Sequence, residues 1–271
     1  MSRNVGDEMM RLLEVLRHQP TDKWVRARLG GRIVADSRAA LLVWEPRRIV
    51  PTYAVPEADV RAGLVPVEAA PASDLPVLHP GIAFAAHSTP GQAYDVRLGD
   101  EVRERAAFRP DDADLAGHVL FDFDTFDWTE EDEPIFSHPR DPFSRVDIRR
   151  GSRHVRISRD GVLLAESHRP TLVFETKLHP RFYLPRADVT AEAVPGDMVT
   201  ACPYKGRATY LSFAVGENLA WTYSDPLPEA AQLAGLVAFF DEVVDVTVDG
   251  IPRKRPDSPV AKVMKDEFGI S

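Results

Sequence analysis

Cysteine is nearly absent. Cys202 is the one thiol in 271 residues, so no disulfide can close within the chain and a reducing compartment is its natural setting. Long apolar runs are missing as well. Stretches such as 235–240 fall far short of the roughly 20 residues that a membrane helix needs. Nothing after Met1 resembles the apolar core of a secretion signal, and the expected location is the cytoplasm. Basic charge is in deficit, with 33 Lys and Arg against 42 Asp and Glu, a net −9. That balance counts against binding nucleic-acid phosphates or an anionic membrane surface. The eight histidines are dispersed, without the paired Cys or His spacing of a zinc site. No metal and no cofactor are expected. No serine sits in a nucleophile-elbow context.

What is present begins with proline. Its 23 residues are scattered, which suits short strands joined by rigid turns and disfavours long helices. More informative is an internal repeat. Residues 25–37 and 155–167 match in register, with Gly31 and Gly161, Ala35 and Ala165, and Ser37 and Ser167 falling together. Both segments have the pattern of a β-hairpin, turning on Gly30-Gly31 or Asp160-Gly161. The correspondence continues. Residues 41–45 answer 171–175, each ending in a carboxylate, Glu45 or Glu175. Residues 51–60 answer 180–189 after a one-residue drift, and 115–121 answer 233–239.

The pattern predicts a mainly β (α+β) chain, a tandem duplication of a small, mostly antiparallel domain. Each copy should hold six or seven short strands and one short helix, which in the second copy starts near Pro228. Helical spacing at Met9, Leu12, Leu13 and Leu16 predicts an N-terminal helix before Pro20. The expected organisation is an extension over 1–23, a first repeat over 24–127, a bridge over 128–153, a second repeat over 154–252 and a tail over 253–271. Within the bridge, the acid run 130–133 has the character of a solvated surface segment.

The copies part company at one loop. The second has Cys202-Pro203-Tyr204-Lys205-Gly206. Aligning Gly206 with Gly91 sets His87 against Cys202 and Pro90 against Lys205, so the first copy lacks the thiol and the ammonium. An ammonium three residues from a thiol favours the nucleophilic thiolate, whereas a lone cysteine is more often packing. Lys205 beside glycine could meet an anion, although the loop lacks the glycines and the following Ser or Thr of a phosphate loop. Glu175 is a candidate acid-base partner. Glu45 occupies the same place in the first copy, which suits a structural role equally well. Tyr183, Tyr204, Tyr210, Trp221 and Tyr223 are candidate pocket walls, and core packing is their alternative. Arg140 and Arg153 are candidate anion contacts.

The motifs Val34-Ala35-Asp36-Ser37, Leu41–Pro46, His138–Pro142, Ser152–Arg156, Tyr183-Leu184-Pro185, Cys202–Gly206 and Ala220–Tyr223 resemble the tandem form of a bacterial family, the domain of unknown function 427. That family sometimes carries a nucleotidyltransferase-like label. The resemblance implies a compact antiparallel β domain in each half, with the Cys-Pro-Tyr-Lys-Gly loop as its hallmark. Family members commonly show Trp-Ser in the strand after that loop, where this chain has Tyr210-Leu211-Ser212. The functional expectation is a small-molecule site in the second repeat. It would serve an enzyme on a small polar metabolite using Cys202, Lys205 and Glu175, or else a non-catalytic binding or sensing module.

Overall fold

The hairpin 155–167 turns on Asp160 and Gly161 at φ +51° and +79°, and the hairpin 25–37 turns on Gly30 and Gly31 at φ +55° and +79°. Two consecutive left-handed residues are the mark of a turn that follows the twist of its strands. A bulge recurs as well, after Ile157 and after Ala27. The chain is described by a computed structural model covering residues 2–176, 178–257 and 261–262. It divides into two units, Met1–Asp141 and Pro142–Ser271.

The strands of the first unit are β1 (Arg17–Pro20), β2 (Val25–Leu29), β3 (Arg32–Ser37), β4 (Leu41–Trp44), β5 (Thr52–Pro56), β6 (Gly63–Val67), β7 (Gly91–Leu98), β8 (Glu101–Pro110), β9 (His118–Phe121), β10 (Asp127–Glu130) and β11 (Glu133–Ile135). Those of the second are β12 (Val146–Arg150), β13 (Val155–Arg159), β14 (Val162–Ser167), β15 (Thr171–Glu175), β16 (Arg181–Leu184), β17 (Val194–Cys202), β18 (Gly206–Phe213), β19 (Gly216–Thr222), β20 (Val237–Phe239), β21 (Asp245–Val248) and β22 (Ile251–Pro252). The large sheet of the first unit runs β1-β4-β5-β9-β8-β7-β6, and that of the second runs β12-β15-β16-β20-β19-β18-β17. The small sheets run β11-β10-β2-β3 and β22-β21-β13-β14. The strand order is the same in both. Small contacts repeat too: Glu131 accepts from the Trp24 N–H and Asp249 from the His154 N–H, each at 2.9 Å.

In the first unit the small sheet contributes Val25, Ala27 and Val34 to a core shared with Leu42, Tyr53, Val55, Val96 and Val119 of the large one. The other face of the large sheet carries Val43, Ala54, Ala93, Phe108 and Leu120, covered by Leu115 from a 3-10 turn. In the second unit the core includes Val173, Tyr183, Trp221 and Ala238, together with Ala230 and Leu233 of the 3-10 helix Pro228–Leu233.

Several boundaries differ from the expected ones. Among the described residues each unit has eleven strands, and the short helices near 113 and 228 are 3-10 rather than α. The N-terminal helix is shorter, Val5–Arg11 followed by a 3-10 turn, with Leu13 the residue it buries. Residues 17–20 become β1 because they find an unpaired edge on β4. Segment 128–153 is more than a bridge, since it supplies most of β10, all of β11 and all of β12. The acid run is part of the structure there. Glu130 binds the Lys23 ammonium at 2.5 Å and accepts from the Tyr53 hydroxyl, while Glu131 caps the Trp24 backbone. The tail begins tethered, Arg253 donating its backbone N–H to Val246; residues 258–260 and 263–271 lie outside the described residues. Among the described residues no helix is long and apolar enough to cross a membrane.

Candidate functional site

Strand β17 ends on Cys202, the chain turns through Pro203 and Tyr204, and β18 begins on Gly206 directly across from Cys202. Gly206 has φ +104°, and a Cβ there would lie 3.3 Å from the Leu227 nitrogen and 3.4 Å from the Asp225 carbonyl. Glycine is required on both counts, conformation and space. The turn is fixed by the Lys205 N–H donating to the Cys202 carbonyl, and by Leu227 donating to the Lys205 carbonyl at 3.0 Å. Held this way, Lys205 is only 7% exposed.

Its ammonium meets Glu175, at the end of β15, with Nζ 2.6 Å from both carboxylate oxygens. Burial works against the ammonium, but the Glu175 charge, with smaller contributions from Tyr183, Tyr223 and Cys202, carries the Lys205 pKa well above its ordinary value. A lysine so held stays protonated, and a carboxylate so held is occupied. The Tyr223 ring centre lies 5.8 Å from Nζ. Burial pushes both Tyr223 and Tyr183 upward, so each stays a neutral hydroxyl. Tyr183 is fully buried and accepts from the Trp221 indole N–H at 3.1 Å. Trp221 stands edge-on to Tyr183 at 6.0 Å, and Tyr223 lies 6.5 Å from it. Tyr223 is 4% exposed, and among the described residues its hydroxyl has no hydrogen-bond partner.

The residues singled out in the sequence thus fall into three groups. Glu175, Tyr183, Cys202, Lys205, Trp221 and Tyr223 come together; the half-buried Cys202 is near enough to act electrostatically on both Lys205 and Tyr223. Tyr210 lies beyond Trp221, its ring stacked on Phe240 and its hydroxyl 2.7 Å from Thr200 Oγ1. Tyr204 is half-buried at the hairpin tip. Arg153 sits elsewhere in the unit, bound to Asp249 beside the small sheet at 2.8 Å, and Arg140 belongs to the first unit.

Sequence reasoning missed the neighbouring charges. Arg181, on β16, is buried against Glu242, with Asp241 at 3.5 Å, and its guanidinium carbon lies 5.7 Å from the Trp221 ring centre. Arg253 adds a bond to His179 at 2.6 Å. The signal was two acids directly after the apolar run 236–240, a place where a solvated loop would also put them. Among the described residues no group of three or more His, Cys, Asp or Glu is arranged to hold a metal ion.

The first unit solves the same problem differently. Glu45 is 1% exposed and lies 3.1 Å from His87 Nδ1, accepts from the Ser88 N–H at 3.1 Å, and has Arg48 Nε at 3.5 Å. The sheet register pairs Ala93 with Phe108, and Phe108 with Leu120, as it pairs Tyr210 with Trp221, and Trp221 with Ala238. Ala93 therefore matches Tyr210. Carried back along the strand, this sets Ser88 against Lys205 and His87 against Tyr204, two residues away from the glycine-based alignment. The shared outer-face positions hold Ala54, Ala93 and Phe108 in one unit and Tyr183, Tyr210 and Trp221 in the other.

Residues 147–250 match the model of a family described as a domain of unknown function, DUF427. That span contains every member of the Lys205 cluster. No curated protein matches the chain.

Proposed function

We propose that the second unit binds a small, polar, uncharged molecule beside Tyr223 and releases it unchanged. The observation that carries this reading is Tyr223, a residue only 4% exposed whose hydroxyl has no hydrogen-bond partner among the described residues, next to the neutral Tyr183 hydroxyl and a closed ion pair. A ligand hydroxyl or carbonyl would give that hydroxyl the partner it lacks within the protein. An uncharged ligand fits because the Lys205 charge is already matched by Glu175. The same match weighs against an enzyme that uses Lys205 as nucleophile or Glu175 as free base, since either group would first have to leave the other.

The test is a panel of small polar fragments screened on the full chain by saturation-transfer NMR. Fragments that bind wild type and lose most of their signal in Tyr223→Phe support the reading. It fails if no fragment binds, if hits are identical in Tyr223→Phe, or if any bound fragment is chemically converted.

A further inference from the structure

The two units treat one corner of the fold in opposite ways. In the second, Asp188 closes the 3-10 turn Arg186–Asp188. Its Oδ1 accepts from Arg169 Nη2 at 3.0 Å, and its Oδ2 from Arg169 Nε at 3.2 Å and Ser167 Oγ at 2.6 Å. A guanidinium gripping a carboxylate with two parallel donors is among the strongest pairings available to polar side chains.

The counterpart in the first unit follows from matching contacts. The turn Glu57–Asp59 corresponds to Arg186–Asp188, and the bridge from Ala35 to Val60 corresponds to that from Ala165 to Val189. Ala39 donates its N–H to Ser37 Oγ as Arg169 does to Ser167 Oγ. Asp59 therefore stands for Asp188, and Ala39 stands where Arg169 supplies the guanidinium. The carboxylate remains while its cation is gone. Among the described residues Asp59 has no hydrogen-bond or ion-pair partner. A recess of about 470 Å³ opens in its place, lined by Trp24, Asp36, Arg38, Ala39 and Asp59. One wall is the Trp24 indole, oriented by its N–H donating to Asp36 Oδ1 at 2.7 Å.

We propose that this recess binds an alkylguanidinium cation. The second unit shows which group the carboxylate takes when one is supplied in cis, and a planar guanidinium can also stack on the Trp24 ring. The ring already attracts such groups: the guanidinium carbons of Arg26 and Arg38 lie 3.8 and 4.4 Å from its centre. Arg26 is tied to Asp132. Arg38 is exposed and has no acidic partner among the described residues, so it competes with an incoming cation for the ring and repels it by charge.

The experiment titrates methylguanidinium into the isotopically labelled full chain and follows the Trp24 indole N–H by NMR. Saturation in the millimolar range is expected, because one partly exposed carboxylate and one ring supply the attraction. Binding should weaken with added salt, vanish in Asp59→Asn and tighten a few-fold in Arg38→Ala. Ala39→Arg, which restores the arginine of the second unit, should close the recess and leave the signal unmoved. A parallel titration with N-acetyl-arginine amide separates the sources. Tighter binding than methylguanidinium assigns the site to a protein arginine, and weaker binding to a small guanidine. The proposal is overturned if wild type shows no saturable shift, or if Asp59→Asn or Ala39→Arg titrates like wild type.

Discussion

Replacing Lys205 with methionine keeps the length of the side chain and removes its charge. Glu175 would then be left with its side chain 12% exposed and without the ammonium that now holds both its oxygens. Removing one partner of a buried pair costs roughly 3–5 kcal/mol, whereas replacing both with apolar groups of similar volume is often near neutral. Against a total stability of about 5–15 kcal/mol, the single substitution should remove roughly a fifth or more of what holds the second unit together. For a unit of this size that corresponds to a fall in Tm of roughly 10–20 °C. Glu175→Met together with Lys205→Met should lose far less, about 0–2 kcal/mol. Hydrogen exchange of the full chain in urea, read by mass spectrometry, localises the effect. Peptides from β15, β18 and β19 should lose protection in Lys205→Met while those from β2 and β3 keep it, and the double variant should recover most of the loss. A single variant costing under about 1 kcal/mol, or a double variant costing the sum of both singles, would refute the argument that the pair is buried and mutually dependent.

Alkaline pH should act on the same cluster. The folded pKa of Lys205 is raised above the 10.5 of an unfolded lysine, and those of Tyr183 and Tyr223 above 10.0. Each group therefore contributes stability in full below its unfolded pKa and loses it as pH climbs through its folded one. Calorimetry between pH 8 and 11 should show one transition falling steeply above about pH 10, with less fall in the double Met variant; parallel behaviour of the two proteins would contradict this. Gly206→Ala should cost about 1–3 kcal/mol, because φ +104° is strained for any other residue and the new Cβ meets the backbone of Leu227 and Asp225. A urea midpoint unchanged from wild type would show that the turn has more freedom than this geometry allows.

The repeated strand order was legible because hairpins announce themselves locally. Gly30-Gly31 and Asp160-Gly161 carry their turn chemistry in two residues, and alternation on either side sets the strands. Glu45 and Glu175 could be matched for the same reason, as each ends a strand of the same pattern. What periodicity does not contain is which distant strand lies alongside. Lys205 was paired in thought with Cys202, its neighbour in sequence, whereas its closest polar contact is Glu175, thirty residues away and reached through a turn that points the lysine inward. Arg181 and Glu242, sixty-one residues apart, were invisible for the same reason. Strands β1, β10 and β12 were overlooked because short segments without clear apolar alternation look like linkers until a neighbouring strand accepts them. His87 was aligned to the wrong position because one shared glycine was weighed above a register that only cross-strand neighbours define.

The small sheets bear on how such a chain comes to be made. In each, a central strand from the start of the unit pairs with one from its end: Val155 lies opposite Val248, and Arg26 opposite Thr129. Neither unit can close until its last strands have left the ribosome, and pairing over so long a loop is slow. Two neighbours of one strand order also invite exchange of equivalent strands, a characteristic failure of repeated domains. Vectorial synthesis separates the hazard in time. When β10 and β11 emerge, β13 and β21 have not yet left the ribosome, so the first unit can seal itself before any competing strand is free to pair. Refolding the whole chain from denaturant removes that head start, and there the two halves meet as rivals.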